Sequence, residues 1–329
     1  LRVSFDVYGG EVEAVRGVSF EVREGEAVAI VGESGSGKSV TAQAIMRLIP
    51  TPPGRFKSGS VLFEGRDLLR LSEKEMQRVR GNRIGMIFQD PMTALNPTMP
   101  IGMQIMESLI LHRRMKRSAA KERAIELLEL VGISNPEARI RQYPHQLSGG
   151  MRQRVVIAIA LACNPSLIIA DEPTTALDVT IQAQVLQFMK ELQRTTNTSI
   201  ILITHDLGIV ADLCDRVFVM YAGRIVEAGD KRDIFRNPQH PYTRGLLKSL
   251  PRLDQPKNEP LVPIYGMPPD MMQPPPGCAF RSRCDKAMRI CELEDPDWTV
   301  VGETQRVRCW LQAAGAGVAA VAGGEEERP

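Results

Sequence analysis

A glycine-rich segment near the start of the chain has the residue types that bind phosphate. The sequence GESGSGKS occupies residues 32–39 and follows the apolar run AVAIVG at 27–32. Glycines let backbone N–H groups turn towards phosphate oxygens, and the start of a helix adds positive partial charge. Lys38 is placed to reach the β- and γ-phosphates, and Ser39 to bind Mg²⁺. The pattern G-x-x-x-x-G-K-S therefore predicts a nucleoside triphosphate site. We assign nucleotide contacts to Gly32, Glu33, Ser34, Gly35, Ser36, Gly37, Lys38, Ser39 and Val40.

An acidic pair follows a second apolar run further along the chain. The sequence SLIIAD at 166–171 ends in Asp171, and Glu172 comes next. Parallel α/β folds place ligands at the carboxyl ends of their strands, where Asp171 would bind the magnesium ion of a nucleotide. Glu172 is suited to polarise a water molecule for in-line attack on the γ-phosphate. Together with the phosphate loop, these residues predict an ATPase or a GTPase.

The elements that position these residues are visible as apolar runs. Four of them predict buried strands of a sheet covered on both faces: AVAIVG (27–32), IGMIFQ (84–89), SLIIAD (166–171) and SIILITH (199–205). Apolar residues at helical spacing predict helices around 124–131 and 181–192. The stretch 91–155 shows helices and no strand, which indicates a helical insertion. A hairpin is expected over 216–229, with its turn at Ala222-Gly223. The predicted fold class is α/β.

Composition limits the classes of function that are open to the chain. Its 329 residues carry 41 Lys and Arg against 39 Asp and Glu, and a formal net charge of +2 argues against a general nucleic-acid binder. The longest apolar run, VVIAIALAC at 155–163, is well short of the ~20 residues that a membrane span needs. Any role at a membrane is therefore expected to depend on a partner protein.

The sequence changes character after about residue 250. Prolines recur over 251–276, as in a stiff extended linker, and a cysteine-rich segment follows at 277–312. The last residues, 313–329, are low in complexity and are expected to be disordered. We therefore divide the chain into a nucleotide-binding domain (1–250), a linker, a small cysteine module and a tail.

The segment QLSGGMRQR at 146–154 indicates which class of ATPase or GTPase the chain belongs to. With it, the chain up to about residue 250 resembles the ATP-binding cassette (ABC) ATPases. The resemblance implies a P-loop NTPase core with a RecA-like sheet, a helical subdomain at about 91–155 and an antiparallel β subdomain. In that family the turn Ser148-Gly149-Gly150 begins a helix and contacts the γ-phosphate of ATP held by the other subunit, as a second anion nest.

The same resemblance implies roles for further positions. Gln89 corresponds to the glutamine that senses Mg²⁺ and the attacking water, and His205 to the switch histidine that faces the γ-phosphate. The sequence ALD at 176–178 matches the loop that crosses the dimer interface. Tyr8 is the best candidate for stacking on adenine, with Phe5 second. The predicted catalytic residues are thus Glu172, His205 and Gln89, and the predicted Mg²⁺ ligands are Ser39, Gln89 and Asp171.

Three short segments indicate a branch of the family. The sequences DPMTALNP (90–97) and NPQHPYTRGLL (237–247) look like the oligopeptide- and dipeptide-permease branch, and LSGGM at 147–151 resembles its D-type ATPase. The resemblance implies a peripheral subunit on the cytoplasmic face of the cell membrane that powers peptide import. Its implied partners are a second, F-type ABC ATPase, two membrane permease subunits and, indirectly, an extracytoplasmic peptide-binding protein. Two alternatives stay open: a nickel importer of the same branch, and a soluble ABC ATPase that acts on nucleic acid or ribosomes.

Four cysteines near the end of the chain form the last candidate site. Cys278, Cys284, Cys291 and Cys309 are separated by five, six and seventeen residues, unlike the paired C-x₂-C ligands of structural zinc. Disulfides are not expected in a cytosolic ATPase, and four widely spaced thiolates suit an iron–sulfur cluster. The segment also resembles the C-terminal extension of dipeptide-permease ATPases that binds a 4Fe-4S cluster. We therefore expect a structural iron–sulfur cluster beside ATP and Mg²⁺, with zinc as the alternative.

Overall fold

The computed structural model describes residues 1–174, 179–249 and 263–313. The strands in these ranges are β1 (Arg2–Val7), β2 (Gly10–Arg16), β3 (Ala27–Val31), β4 (Gly54–Ser58), β5 (Leu62–Phe63), β6 (Arg66–Asp67), β7 (Ile84–Ile87), β8 (Leu167–Asp171), β9 (Ser199–Ile203), β10 (Arg216–Tyr221), β11 (Arg224–Asp230), β12 (Thr299–Val301) and β13 (Gln305–Val307). The α-helices are α1 (Lys38–Ile45), α2 (Glu73–Val79), α3 (Pro91–Ala94), α4 (Ile101–Arg113), α5 (Arg117–Leu130), α6 (Pro136–Arg139), α7 (Gly149–Leu161), α8 (Val179–Thr196), α9 (Leu207–Leu213), α10 (Lys231–Arg236), α11 (Pro241–Lys248) and α12 (Ile290–Leu293). The ALD segment, the first part of the proline-rich stretch and the predicted tail from residue 314 lie outside the described residues.

The larger sheet has the strand order β12-β13-β11-β10-β3-β9-β8-β7. Strands β10, β3, β9, β8 and β7 run parallel, and β11, β13 and β12 add an antiparallel edge. Every residue of β3 is buried, with Val28 and Ile30 in one apolar core and Ala27, Ala29 and Val31 in the other. Burial of both faces explains why these strands appear in the sequence as unbroken apolar runs.

The predicted strands and hairpin are confirmed. Three of the four strands end one or two residues earlier than the sequence suggested, because their last residues belong to the loops that form the candidate site. The hairpin is formed by β10 and β11, with Tyr221 paired to Arg224 across a turn at Ala222-Gly223. Strands β1, β2 and β4 form a separate antiparallel sheet of order β2-β1-β4.

Five helices, α3 to α7, fill the chain between β7 and β8. No strand lies between residues 91 and 155, all of which the structure describes, so the predicted helical insertion is present. Its interior is apolar: Ile105 and Leu109 of α4 are buried in the same core as Ala124 and Leu128 of α5. In the described part of the chain, no helix combines the length and the apolar character needed to cross a bilayer.

The C-terminal segment, residues 263–313, is joined to the rest of the chain by backbone pairing and aromatic packing. Strand β13 pairs with β11, where Glu227 faces Val307 and Ala228 faces Arg306. The Phe280 ring packs edge-on against Tyr221 at a centroid distance of 5.2 Å. The segment thus continues the main sheet. The sequence suggested that a metal centre would hold this segment together, whereas in the structure strand pairing and aromatic packing attach it to the rest of the chain.

Candidate active site

The phosphate loop joins β3 to α1. Helix α1 begins directly after Gly37, whose φ of 99° lies in the left-handed region. A Cβ atom at Gly37 would lie 2.3 Å from the carbonyl oxygen of Ala14 on β2, so this close approach requires glycine. Ser36 Oγ is buried and has no hydrogen-bond partner among the described residues. A buried unsatisfied hydroxyl beside a helix N-terminus fits an anion such as phosphate.

Lys38 provides a buried positive charge at this loop. Its ammonium group donates hydrogen bonds of 2.8 Å to the carbonyl oxygens of Gly32 and of Glu33. Burial lowers the pKa of Lys38, and the carboxylates of Glu172 and Asp171 oppose this effect. The lysine that the sequence assigned to the β- and γ-phosphates therefore lies against the loop that would surround them.

Ser39 and Asp171 meet across the gap between α1 and β8. The Ser39 hydroxyl donates a hydrogen bond of 3.0 Å to Asp171 Oδ1. Burial raises the pKa of Asp171, while the hydrogen bond from Ser39 lowers it. A hydroxyl and a buried carboxylate that contact each other form a donor set that suits Mg²⁺, which prefers oxygen ligands.

Glu172, the next residue, lies between the two other predicted catalytic side chains. Gln89 Nε2 donates a hydrogen bond of 3.2 Å to Glu172 Oε2, and His205 Nδ1 lies 3.3 Å from Glu172 Oε1. The Glu172 backbone has a φ of 47°, and its N–H donates to Ile203 O of β9. This left-handed turn directs the chain away from β8 at the carboxyl edge of the sheet. The structure thus brings the three side chains together from three separate segments.

Sequence reasoning missed Gln153, which connects the helical insertion to this group. Gln153 on α7 is buried, and its Nε2 donates to Pro173 O at 3.0 Å and to Phe88 O at 3.4 Å. These two carbonyls belong to the neighbours of Glu172 and Gln89. The local sequence contained no signal for this role, because Gln153 lies between Arg152 and Arg154 and has the appearance of one more exposed polar residue.

The turn Ser148-Gly149-Gly150 begins α7, as the resemblance implied. The Ser148 side chain accepts a hydrogen bond from the Met151 N–H at 3.3 Å and so caps the helix. Ser148 and Gly149 are exposed, and a Cβ atom at Gly149 would meet nothing within 4 Å. The N-terminus of this 13-residue helix is therefore open to a ligand or to another chain.

The two aromatic candidates for adenine stacking have different environments. Tyr8 lies in the turn between β1 and β2, and its side chain is fully exposed. Phe5 lies within β1 and packs against the buried residues of the second apolar core. Tyr8 is therefore the residue whose ring is available for stacking, and its role stays a prediction.

The prediction of an iron–sulfur cluster, with zinc as its alternative, is wrong. Among the described residues, no group of three or more His, Cys, Asp or Glu side chains is placed to hold a metal ion. The four cysteines do line one cavity, but its volume is about 10 Å³. Burial raises the pKa of Cys278 to about 12 and of Cys309 to about 11. Cys163 and Cys214 are buried free thiols, as expected.

Comparisons with known proteins agree with this geometry. A family model described as ABC transporter matches residues 15–175, and a model described as oligopeptide/dipeptide transporter, C-terminal region, matches residues 226–291. The chain is 62% identical over 311 residues to the oligopeptide transport ATP-binding protein OppD of Bacillus subtilis (strain 168), covering 94% of this chain and 87% of that protein. It is 58% identical over 312 residues to the dipeptide transport ATP-binding protein DppD of the same organism, covering 95% and 93%.

Solved structures show the same fold. The chain is similar to the dimeric structure of a post-hydrolysis state of the ATP-binding cassette MJ0796 bound to ADP and Pi, with a TM-score of 0.65 and 29% identity over 70% of this chain and 97% of that one. It is also similar to cbiO1 from Clostridium perfringens, with a TM-score of 0.58 and 28% identity over 71% and 90% of the two chains.

Proposed function

This chain belongs to the ATP-binding cassette family as an ATP-binding subunit of a transporter, and we propose that it hydrolyses ATP to power the import of dipeptides or oligopeptides. The observation that carries the proposal is the contact of Glu172 with Gln89 and with His205, beside the hydrogen-bonded Ser39–Asp171 pair. Peptide cargo is supported by similarity, over most of the chain, to an oligopeptide and a dipeptide transport ATP-binding protein.

Residues of the phosphate loop bind the nucleotide in this proposal. Lys38 and the backbone N–H groups that precede α1 contact the phosphates, and Tyr8 stacks on adenine. Ser39 and Asp171 would hold Mg²⁺, with Gln89 as the third predicted ligand, and the ion would neutralise charge on the phosphate oxygens. The buried hydroxyl of Ser36 gains the hydrogen-bond partner that it lacks among the residues that the structure describes.

Hydrolysis depends on Glu172 as the general base. Its carboxylate accepts a hydrogen bond from Gln89 and contacts His205, so both neighbours fix its orientation. A carboxylate held in this way is ready to polarise the water that attacks the γ-phosphate in line.

A second ATPase subunit completes the site. The exposed Ser148-Gly149-Gly150 turn contacts the γ-phosphate bound by that partner, and the partner's equivalent turn covers the nucleotide of this chain. The solved relative MJ0796 is described as a dimer, which supports the arrangement. We propose an F-type ATPase as the partner, because the LSGGM segment resembles the D-type member of such pairs.

The membrane part of the transporter is supplied by other chains. Two permease subunits would contact the helical insertion from the cytoplasmic side, and a peptide-binding protein would deliver cargo on the other side. Because Gln153 bonds to carbonyls beside Glu172 and Gln89, a change at the phosphates can reach the insertion through α7.

Uptake by cells that carry the complete transporter tests the proposal. Labelled dipeptides and oligopeptides should accumulate, and Lys38→Ala should abolish both accumulation and ATP turnover because the buried cation is lost. The exposed Lys74→Ala serves as the control for loss of a lysine and should transport normally. Uptake of nickel and not of peptide, or purification of the chain with ribosomes and no permease, would contradict the proposal.

A further inference from the structure

Arg283, in the C-terminal segment, reaches the phosphate loop from 250 residues away. Its guanidinium forms a two-pronged ion pair with the Glu33 carboxylate, with Nη1 at 2.6 Å from Oε2 and Nη2 at 2.9 Å from Oε1. The Arg283 side chain is only 3% exposed. Paired, planar contacts of this kind are among the strongest that two side chains make.

The other hydrogen bonds of Arg283 hold it in this orientation. Nη1 also donates to Tyr221 Oη at 3.3 Å, Nη2 to Ile264 O at 3.1 Å and Nε to Tyr265 O at 3.0 Å. All five N–H groups of the guanidinium are therefore used. Hydrogen bonding to Glu33 is the largest influence on the group and raises the pKa of Arg283.

Glu33 is fixed from three sides. Its carbonyl accepts from Lys38 Nζ at 2.8 Å, its N–H donates to Tyr242 Oη at 2.8 Å, and its carboxylate pairs with Arg283. Glu33 is the second residue of the phosphate loop, and its carboxylate is close enough to the Lys38 ammonium for its negative charge to raise the pKa of Lys38. An unpaired negative charge there would repel the nucleotide.

We propose that Arg283 is a positioning residue for nucleotide binding, which acts through Glu33 by neutralising its charge beside the phosphate loop. The C-terminal segment thereby controls the affinity of a site to which it contributes no ligand. This inference rests on the proposed nucleotide site and is independent of the cargo.

A set of charge variants separates this role from a merely structural one. Arg283→Ala leaves the Glu33 charge unpaired, so the Kd for MgATP should rise about tenfold. Glu33→Gln removes the repelling charge and leaves Arg283 positive, so the Kd should stay equal or fall. In the double variant the repelling charge is absent, so the Kd should return to within about threefold of that of Glu33→Gln. The variants are compared in the full-length chain with a fluorescent ATP analogue, after thermal unfolding has shown that each is folded.

Three further measurements complete the test. In the chain assembled with its transporter partners, Arg283→Ala should raise KM for ATP with kcat changed less than twofold, because the loss is in binding. Arg289→Ala, at an exposed arginine of the same segment, removes the same charge and should change the Kd less than twofold. Arg283→Lys keeps the positive charge but cannot form the two-pronged contact with Glu33, so its Kd should lie between those of the wild type and Arg283→Ala.

The outcomes distinguish this inference from the proposed site. If Lys38→Ala binds ATP like the wild type, the proposed nucleotide site is wrong. If Lys38→Ala loses binding while a folded Arg283→Ala keeps wild-type affinity, or while the double variant binds as weakly as Arg283→Ala, the role of Arg283 is wrong. If Arg283→Ala does not fold, weaker binding by Glu33→Gln alone overturns the inference.

Discussion

At the scale of single residues, the candidate active site contains two adjacent carboxylates, Asp171 and Glu172, which contact different side chains. Asp171 is buried and bonded to the Ser39 hydroxyl, whereas Glu172 is bonded to Gln89 and lies against His205. Adjacent acids at the end of one strand thus face different partners. This difference supports the proposal that Asp171 binds a cation and Glu172 activates water.

Replacing Glu172 by Gln tests this division. The amide keeps the size of the side chain but is not a base, so ATP hydrolysis by the assembled transporter should fall at least about 100-fold. Nucleotide affinity should change little, because Lys38, Ser39 and Asp171 are untouched. Single-turnover hydrolysis and equilibrium binding measure the two effects separately. Hydrolysis near the wild-type rate would show that another group activates the water.

Individual residues also show how far the sequence can predict the site. Lys38, Ser39, Asp171 and Glu172 were predictable because each is fixed by a local strand-to-loop pattern. Glu33 and Arg283 are 250 positions apart in the sequence, so no local sequence pattern could predict their contact. The cysteine spacing suggested a metal site, but spacing gives no information on how side chains are oriented around a cavity.

At the scale of elements, helix α7 links the site to the helical insertion. Its N-terminus carries the Ser148 turn, and its body packs on β7 at Gly85. A Cβ atom at Gly85 would lie 2.4 Å from Ala160 O, so helix and strand are as close as their backbones allow.

Substituting Gly85 by Ala should separate α7 from β7. The overpacked methyl group should lower the free energy of unfolding by about 1–3 kcal/mol, as measured by urea denaturation. Gly149→Ala is the matched control: its Cβ meets no atom within 4 Å, so the unfolding free energy should change by less than about 0.5 kcal/mol. Equal stability of the two variants would mean that the close contact with Ala160 is relieved at no cost.

Strands differ in how well the sequence reveals them. The buried parallel strands were predicted because both faces are apolar, which gives an unbroken run. Strands β12 and β13 were missed: each has three residues, and β12 has no fully buried one. They form because β13 pairs with the edge of β11 and β12 pairs with β13. This pairing depends on the tertiary fold, so the local sequence does not predict it.

At the scale of the whole molecule, the proposed mechanism gives one chain two halves of different nucleotide sites. The phosphate loop would bind nucleotide for this chain, while the exposed Ser148 turn would serve the site of its partner. Activity is therefore expected to depend on assembly, with ATP turnover per chain rising as the concentration of both ATPases rises.

Replacing Ser148 by Arg tests the shared site. The bulky side chain at an exposed helix N-terminus should leave the Kd of the isolated chain for ATP within about twofold of wild type. It should lower turnover by the assembled pair at least about tenfold, because the partner's γ-phosphate loses its second anion nest. Turnover by the isolated chain at the full rate of the transporter, with no dependence on its concentration, would count against a shared site.

The distance in sequence between Glu33 and Arg283 has a consequence for biosynthesis. The ribosome adds about 5–20 residues per second, so Arg283 is made roughly 12–50 seconds after Glu33. During that interval the nascent phosphate loop carries a carboxylate without its counter-charge. A translation product that stops before Arg283 would retain every residue of the loop and still bind nucleotide weakly, so tight binding of ATP would distinguish finished chains from incomplete ones.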